Sequence, residues 1–261
     1  MGGAQGSPLI VERADGHVVA TLDRPAKRNA IDQAMIDALH ALCEELEHEP
    51  RTLILAGAGG VFAAGADIAE LRERRAADAL RGINAHAFVR IAELPMPVIA
   101  AIDGYALGGG AELAYAADIR IGTPDLVIGN PETGLGILAA AGASWRLKEI
   151  VGDARAAELL LTGRSVKAEE ALRIGLVSSV HDTADLLPAA HAIADRIARN
   201  DRAATIATKR VFRAPRADHP AVDLDAQATL FENPEKFRRM TEFLERRVGS
   251  NDRAGSEKGE R

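Results

Sequence analysis

The sequence has a single cysteine, Cys43. No intrachain disulfide is possible, and no cysteine-based zinc cluster can form. A reducing, cytoplasmic setting fits that usage. No stretch reaches about 18 unbroken apolar residues, so no membrane-crossing helix is expected. Positive charge is not in excess. Against 32 Lys and Arg stand 38 Asp and Glu, a formal net charge of −6. That balance argues against a nucleic-acid binder held mainly through phosphates. The seven histidines are scattered, and none shows the His-Glu-x-x-His spacing of a metal site, so no metal is expected. Ser144 lacks a Gly-x-Ser-x-Gly frame and is not a nucleophile elbow. The first residues carry no basic run followed by an apolar core, so no signal peptide is read there. Gly6 stands where a myristoylation pattern wants Ser or Thr. No repeat with a period of about 20–50 residues appears.

What is present is a globular balance, with 47% hydrophobic and 27% charged residues, which excludes disorder as the main state. At roughly 100–200 residues per domain, the chain makes one large domain or two small ones. Residues 9–13 and 17–22 flank Ala14-Asp15-Gly16 and read as a hairpin. Asp32 then caps a helix running to about His48, with Ala34, Met35, Ala38, Leu39, Leu42 and Leu46 on one face. Cys43 on that helix reads as a small buried apolar residue. A short buried strand at 53–56 leads into a Gly-rich loop, 57–65. Residues 67–93 read as helical but charged. Pro95 and Pro97 precede a strand at 98–102, a second Gly-rich loop at 104–110 and an apolar helix at 111–117. Further strands are expected at 119–121 and 126–128. Later residues read as mostly helical, except for strand-like 176–180. The pattern predicts an α/β core with a helical C-terminal region.

Two segments carry the chemistry. One is Val61-Phe62-Ala63-Ala64-Gly65-Ala66-Asp67-Ile68. The other is Gly104-Tyr105-Ala106-Leu107-Gly108-Gly109-Gly110-Ala111-Glu112-Leu113-Ala114. Each is a strand, a glycine loop and a helix start. N–H groups at a helix start have no intrahelical partner, and glycine lets a ligand approach them. Two such loops together could aim two N–H groups at one oxygen, an oxyanion hole. A phosphate site is the competing use, but neither loop matches a phosphate-loop or dinucleotide fingerprint. Glycines that only permit tight strand-to-helix turns remain a third possibility. Glu112 follows the glycine triplet in an almost wholly apolar stretch. A first-turn glutamate is favoured by the helix dipole; in apolar surroundings its pKa should also rise, which suits proton transfer. A second acid, Glu132, follows Pro131 in Ile128-Gly129-Asn130-Pro131-Glu132-Thr133-Gly134. Alone it would read as an ordinary helix-start residue. Together, two carboxylates beside two N–H-presenting loops can polarise one oxygen and handle a proton and a water.

With Leu22-Asp23-Arg24-Pro25-Ala26-Lys27-Arg28-Asn29-Ala30 upstream, these loops resemble those of the crotonase, or enoyl-CoA hydratase/isomerase, superfamily. The stretches Pro95-Met96-Pro97-Val98-Ile99-Ala100-Ala101-Ile102-Asp103-Gly104 and Ala168-Glu169-Glu170-Ala171-Leu172-Arg173-Ile174-Gly175-Leu176-Val177 add to the likeness, which covers about residues 9–247. The resemblance implies a crotonase-like spiral of ββα units over 9–195 and a helical trimerisation region over 196–248, while the ends, 1–8 and the Gly-, Ser- and charge-rich 249–261, read as frayed tails. It implies that the N–H groups of Ala66 and Gly109 bind a thioester oxygen. It matches Glu112 and Glu132 to the two glutamates of the hydratase branch. In that scheme Glu112 activates a water and Glu132 delivers a proton to the α-carbon of a 2-enoyl-CoA. No separate cofactor is implied, because coenzyme A is part of the acyl-CoA substrate. Lys27, Arg28, Ala30, Ala64, Asp67, Ile68 and, on the last helix, Phe243 match the substrate strip. Lys27 and Arg28 also read as solvated loop charges.

One stretch departs from the family pattern. Ala139-Ala140-Ala141-Gly142-Ala143-Ser144-Trp145 replaces a more glycine-rich run, with Ala140 in place of a glycine. A positive φ would be hard there, while a backbone N–H survives. Trp145 reads as a core or interface aromatic. The resemblance also implies a homotrimer or a dimer of trimers. Two other functions stay open: an enoyl-CoA isomerase or related thioester lyase on the same fold, and a catalytically silent acyl-CoA binder.

Overall fold

The computed structural model describes residues 7–256. Of the tails expected at 1–8 and 249–261, residues 1–6 and 257–261 lie outside the described residues. The chain divides into two compact units, one ending at Arg199 and the other beginning at Asn200.

The first unit opens with β1 (Leu9–Arg13) and β2 (His17–Leu22), an antiparallel hairpin in register from Leu9 opposite Leu22 to Arg13 opposite Val18. Helix α1 (Gln33–His48) follows, and Asp32 caps it by accepting from the Met35 N–H at 2.9 Å. Its inner face is Met35, Ile36, Leu39, Leu42, Cys43 and Leu46. Ile36 belongs to that face and Ala34 does not, because positions 35, 36, 39, 42, 43 and 46 trace the apolar stripe more closely. Strand β3 (Thr52–Gly57) leads into the first glycine loop.

Residues 67–93, expected as one helical segment, form three: α2 (Ile68–Glu73), α3 (Ala76–Leu80) and α4 (Ile83–Glu93). Arg74 and Arg75 are extended, and Gly82 takes a left-handed φ of 57°. Neither α2 nor α3 buries a residue fully. Short helices without a buried face gain little from packing, so they do not fuse. In contrast, α4 buries Ala87, Phe88, Ile91 and Ala92.

Strand β4 (Val98–Ile102) is buried at every residue. The second glycine loop holds a short strand not foreseen, β5 (Tyr105–Leu107), and α5 (Gly109–Ala116) starts two residues earlier than expected. Then come β6 (Ile119–Gly122), β7 (Val127–Gly129), α6 (Lys148–Val151), α7 (Asp153–Thr162), β8 (Ser165–Lys167), α8 (Ala168–Arg173), β9 (Ser179–Val180) and α9 (Thr183–Ala198). The strand expected at 176–180 shrinks to β9, because Leu176 and Val177 turn into the core instead of extending.

A six-stranded sheet runs β1-β2-β3-β4-β6-β9, parallel from β2 onward. A second sheet, β5-β7-β8, stands apart from it. Strand alternation sorts the large sheet's side chains to two faces. Val18, Ala20, Leu53, Leu55, Val98 and Ala100 join the main core with α1, α4 and α5. Val19, Ile54, Ile99, Ala101 and Ile121 meet Leu186, Ala190 and Ala194 of α9 on the other. Helix α9 is thus a structural layer of the sheet, and the first unit runs past the boundary expected at 195 to the helix's end.

The second unit is helical, with α10 (Arg202–Phe212), α11 (Ala221–Phe231) and α12 (Pro234–Ser256). Helix α12 continues beyond Gly249, where a tail was expected, since each residue added to a formed helix costs little.

Candidate active site

The two glycine loops cross. Phe62 N–H donates to the Asp103 carbonyl at 2.8 Å, Ala63 N–H to Tyr105 at 3.0 Å, and Leu107 N–H to Ala63 at 3.0 Å. Residues 61–66 therefore ride along β5. The crossing needs Gly110. A Cβ there would stand 2.2 Å from the Ala63 carbonyl oxygen, inside any tolerable contact. Gly108 turns the chain into α5 with φ 51° and ψ −123°, a region that side chains rarely enter.

This packing brings Ala66 beside Gly109. The Ala66 nitrogen lies 3.5 Å from where a Cβ on Gly109 would sit. Among the described residues, neither N–H donates to any acceptor. Gly109 is the first residue of α5 and has no intrahelical acceptor. Two unengaged N–H groups thus stand side by side.

The acids come from two directions. Glu112 sits in the first turn of α5, its N–H donating to the Gly108 carbonyl at 3.0 Å. Its side chain is only 4% exposed. One oxygen, Oε1, accepts from the N–H groups of Ala141 at 2.6 Å and Ala143 at 3.1 Å. Burial pushes its pKa up to about 7, opposed by those backbone donors and assisted by the charge of Glu132. Glu132 lies on a tight turn after Pro131. It too is buried, and burial raises its pKa. Its Oε2 has no hydrogen-bond partner among the described residues. A Cβ on Gly108 would come 3.0 Å from the Glu132 Oε1, so the glycine triplet also makes room for this acid.

Ala66, Gly109, Glu112 and Glu132 line one cleft of about 510 Å³. Its apolar wall includes Leu71, Ile83, Ile137 and Leu138. The stretch at 139–145 serves the site through its backbone. Ala140 lines the cleft and Ala141 and Ala143 hold Glu112. Among the described residues, positive φ outside glycine is confined to Arg28 and Asn29, so Ala140 is unstrained. Trp145 is 36% exposed and lies outside the hydrophobic core.

The expected substrate strip gathers beside the first loop. Ala64 N–H donates to the Arg28 carbonyl at 3.0 Å. Arg24 donates to the Ala30 carbonyl and pairs with Asp32 at 2.9 Å and Asp67 at 3.5 Å. Asp67 caps α2 through the Ala69 N–H. Burial works to raise the Asp67 pKa, but backbone donors, Lys27 and Arg24 outweigh it and hold it low. Lys27, Arg28 and Ile68 are exposed. Phe243 belongs to the second unit, on α12, and is also exposed.

Five residues that shape the site carry no role in the sequence reading. Asn29 is fully buried and donates to the carbonyls of Ala58 at 2.9 Å and Val61 at 2.6 Å, tying the strip to the loop. Tyr115 donates to Asn130 at 3.1 Å, and Asn130 donates to the Gly108 carbonyl at 3.4 Å. Tyr115 lies three residues after Glu112, a helical spacing that could have flagged it. Asn84 and its partner Arg74 line the cleft with no sequence signal at all.

Residues 12–250 match the family model described as enoyl-CoA hydratase/isomerase. A short-chain-enoyl-CoA hydratase of Clostridium acetobutylicum is 36% identical, over 92% of this chain and 95% of its own. A crotonyl-CoA hydratase of Syntrophomonas wolfei is 34% identical, again over 92% and 95%. The solved enoyl-CoA hydratase of Bacillus anthracis superposes with a TM-score of 0.87 at 31% identity, over 92% of this chain and 96% of that one. That of Thermoplasma volcanium gives 0.83 at 32%, over 91% and 97%.

Proposed function

The chain belongs to the enoyl-CoA hydratase/isomerase family, with the crotonase fold, and from that premise we propose its reaction: water adds across the 2,3 double bond of a 2-enoyl-CoA to give a 3-hydroxyacyl-CoA. One observation carries this reading. Two buried carboxylates and two unengaged N–H groups face a single cleft.

The N–H groups of Ala66 and Gly109 hold the thioester oxygen. Water attack on the β-carbon drives charge onto that oxygen, and each such donor typically lowers the barrier by about 3–4 kcal/mol. Glu112, with a pKa near 7, is a base matched to neutral pH. Its Oε1 is occupied by Ala141 and Ala143, which leaves Oε2 for the attacking water. Glu132 delivers a proton to the α-carbon through its unpartnered oxygen. Two acids whose pKa values are both raised by burial share protons readily. Coenzyme A enters as part of the substrate, along Lys27, Arg28, Ala30, Ala64, Asp67 and Ile68.

The assembly in this reading is a homotrimer or a dimer of trimers, with Phe243 facing a substrate. Phe237, Met240, Phe243 and Leu244 on α12 are all more than half exposed in the single chain, which supports burial against a neighbour. A cytoplasmic setting goes with the single, buried Cys43, whose thiol burial pushes up to about 12. No helix among the described residues is long and apolar enough to cross a membrane.

The test is hydration of crotonyl-CoA, followed by loss of the conjugated-enone absorbance, then of medium, long and aromatic enoyl-CoAs. Turnover supports the reading. Tight acyl-CoA binding with no turnover of any chain supports the silent binder instead, and double-bond migration without hydration supports the isomerase.

A further inference from the structure

The cleft is not wholly apolar. Arg74, Arg75, Asp78 and Asn84 line it along with the catalytic groups. Arg74 Nη1 donates to Asn84 Oδ1 at 3.2 Å. The Asn84 amide nitrogen stands 3.5 Å from the Cβ position of Gly109. The Arg74 guanidinium is thus one side-chain amide removed from the groups that hold the thioester, a reach that a short acyl chain covers.

These cations are under-compensated. The carboxylate paired with Arg74 is Glu70, 4.0 Å away, and that carboxylate already accepts the Gln33 N–H at 3.1 Å. Asp78 accepts the backbone N–H of Arg75 at 3.0 Å and lies 3.7 Å from Arg81. The Arg75 guanidinium has no ion-pair or hydrogen-bond partner among the described residues. Arg74, Arg75 and Arg81 therefore meet two carboxylates, Glu70 and Asp78, and of the two arginines that line the cleft one has a single carboxylate at 4.0 Å and the other has none among the described residues. The Arg74 side chain is only 20% exposed, so its charge acts where water screens it less. Arginine presents a planar fork that fits a carboxylate with two parallel hydrogen bonds.

We propose that the acyl group handled here is short and ends in a carboxylate, which Arg74 binds with Arg75 in support. This rests on the hydratase reading and names its substrate class. A purely hydrocarbon tail would leave the arginine donors facing a desolvated, apolar partner, which costs binding.

The experiment compares two six-carbon 2-enoyl-CoAs on the intact enzyme, one with a terminal carboxylate and one with a terminal methyl. The expected kcat/KM favours the carboxylate by about 10- to 100-fold, the worth of a hydrogen-bonded charge. In Arg74→Gln that ratio collapses toward one, mostly through KM, since the contact is made equally in ground and transition states. Raising ionic strength lowers the parent's ratio as well. Equal or better use of the methyl-ended thioester by the parent overturns the proposal while the hydratase reading stands. Absence of hydration with both thioesters and with crotonyl-CoA overturns that reading and this proposal with it. Weaker inhibition of Arg74→Gln by free coenzyme A would assign the arginine to the nucleotide end and also overturn the proposal.

Discussion

Replacing Glu112 with Gln keeps the shape of the side chain and removes its charge and its titration. The amide oxygen can still accept from Ala141 and Ala143, so the loop at 139–145 stays anchored. Two consequences follow, and they point in opposite directions. Activity should fall by about 10²–10⁴-fold, the usual loss when a general base is removed. Stability should rise at alkaline pH. In the folded protein its pKa is about 7, against an ordinary glutamate value of 4.5. An acid with a raised folded pKa binds its proton more tightly in the native state. Its effect on stability is neutral below the unfolded pKa and becomes unfavourable as pH rises through the window up to the folded pKa. Holding the carboxylate ionised at pH 8 thus costs the parent about 3 kcal/mol, at 1.36 kcal/mol per unit.

Thermal melts at pH 5 and pH 8, run on both proteins, read this cost. At pH 8 the Gln variant should melt higher than the parent, and at pH 5 the gap should close. Initial rates across pH give the second arm. The parent's kcat/KM should climb with a midpoint near pH 7 as Glu112 ionises, and that limb should vanish from the residual activity of the variant. Near-native turnover in Glu112→Gln would refute its role as base. An unchanged limb would refute its assignment to the titration. A variant that melts lower than the parent at both pH values would refute the electrostatic argument itself.

Other outcomes follow from the same geometry. Glu132→Gln should lose turnover by about 10²-fold or more, and the double variant should lose less than the product of the singles, since both acids serve one water; multiplicative losses in steady-state rates would count against a shared water. Ala66→Pro deletes an N–H that no described residue accepts; kcat should fall by about 10²–10³-fold relative to Ala66→Val, with much of the acyl-CoA affinity kept. Equal rates in the two folded variants would remove Ala66 from the oxyanion hole. Gly110→Ala must push against the Ala63 carbonyl, so calorimetry should find it destabilised by at least about 2 kcal/mol; a native melting point would mean that the loops part freely. Truncation at Asn233 should impair both assembly and acyl-CoA binding, and a monomer for the intact chain by light scattering would contradict the proposed oligomer.

Much of the site was legible because its signals are local. A carboxylate two residues after three glycines, inside an apolar stretch, states its own burial. The Asp32 cap and the Asp15-Gly16 hairpin are also short-range, and both appear where expected. The lacing of the loops is different. Ala63 and Ala106 carry no side chain that advertises a bridge between them, yet their backbones pair. Strand β5 exists because the first loop and β7 flank it, not because Tyr105-Ala106-Leu107 demands extension. Three residues in isolation have no strand preference strong enough to read.

The same distinction explains why the acids were found and the arginines were not. In the sequence, Arg72-Glu73-Arg74-Arg75 is a run of charges, and a run of charges is ordinarily a solvated helix face. The break between α2 and α3 changes that. Extended backbone at Arg74 and Arg75 turns them away from a common helical stripe. Arg74 then sits over Asn84 of α4. What decides its environment is the packing of α4, through Phe88 and Ile91, against the core behind α5. Glu112 announces itself by its neighbours in sequence. Arg74 is defined by its neighbours in space, and these are the residues that grade one acyl group against another. The reaction type is therefore readable from the chain as a string, while the substrate has to be read from the cleft.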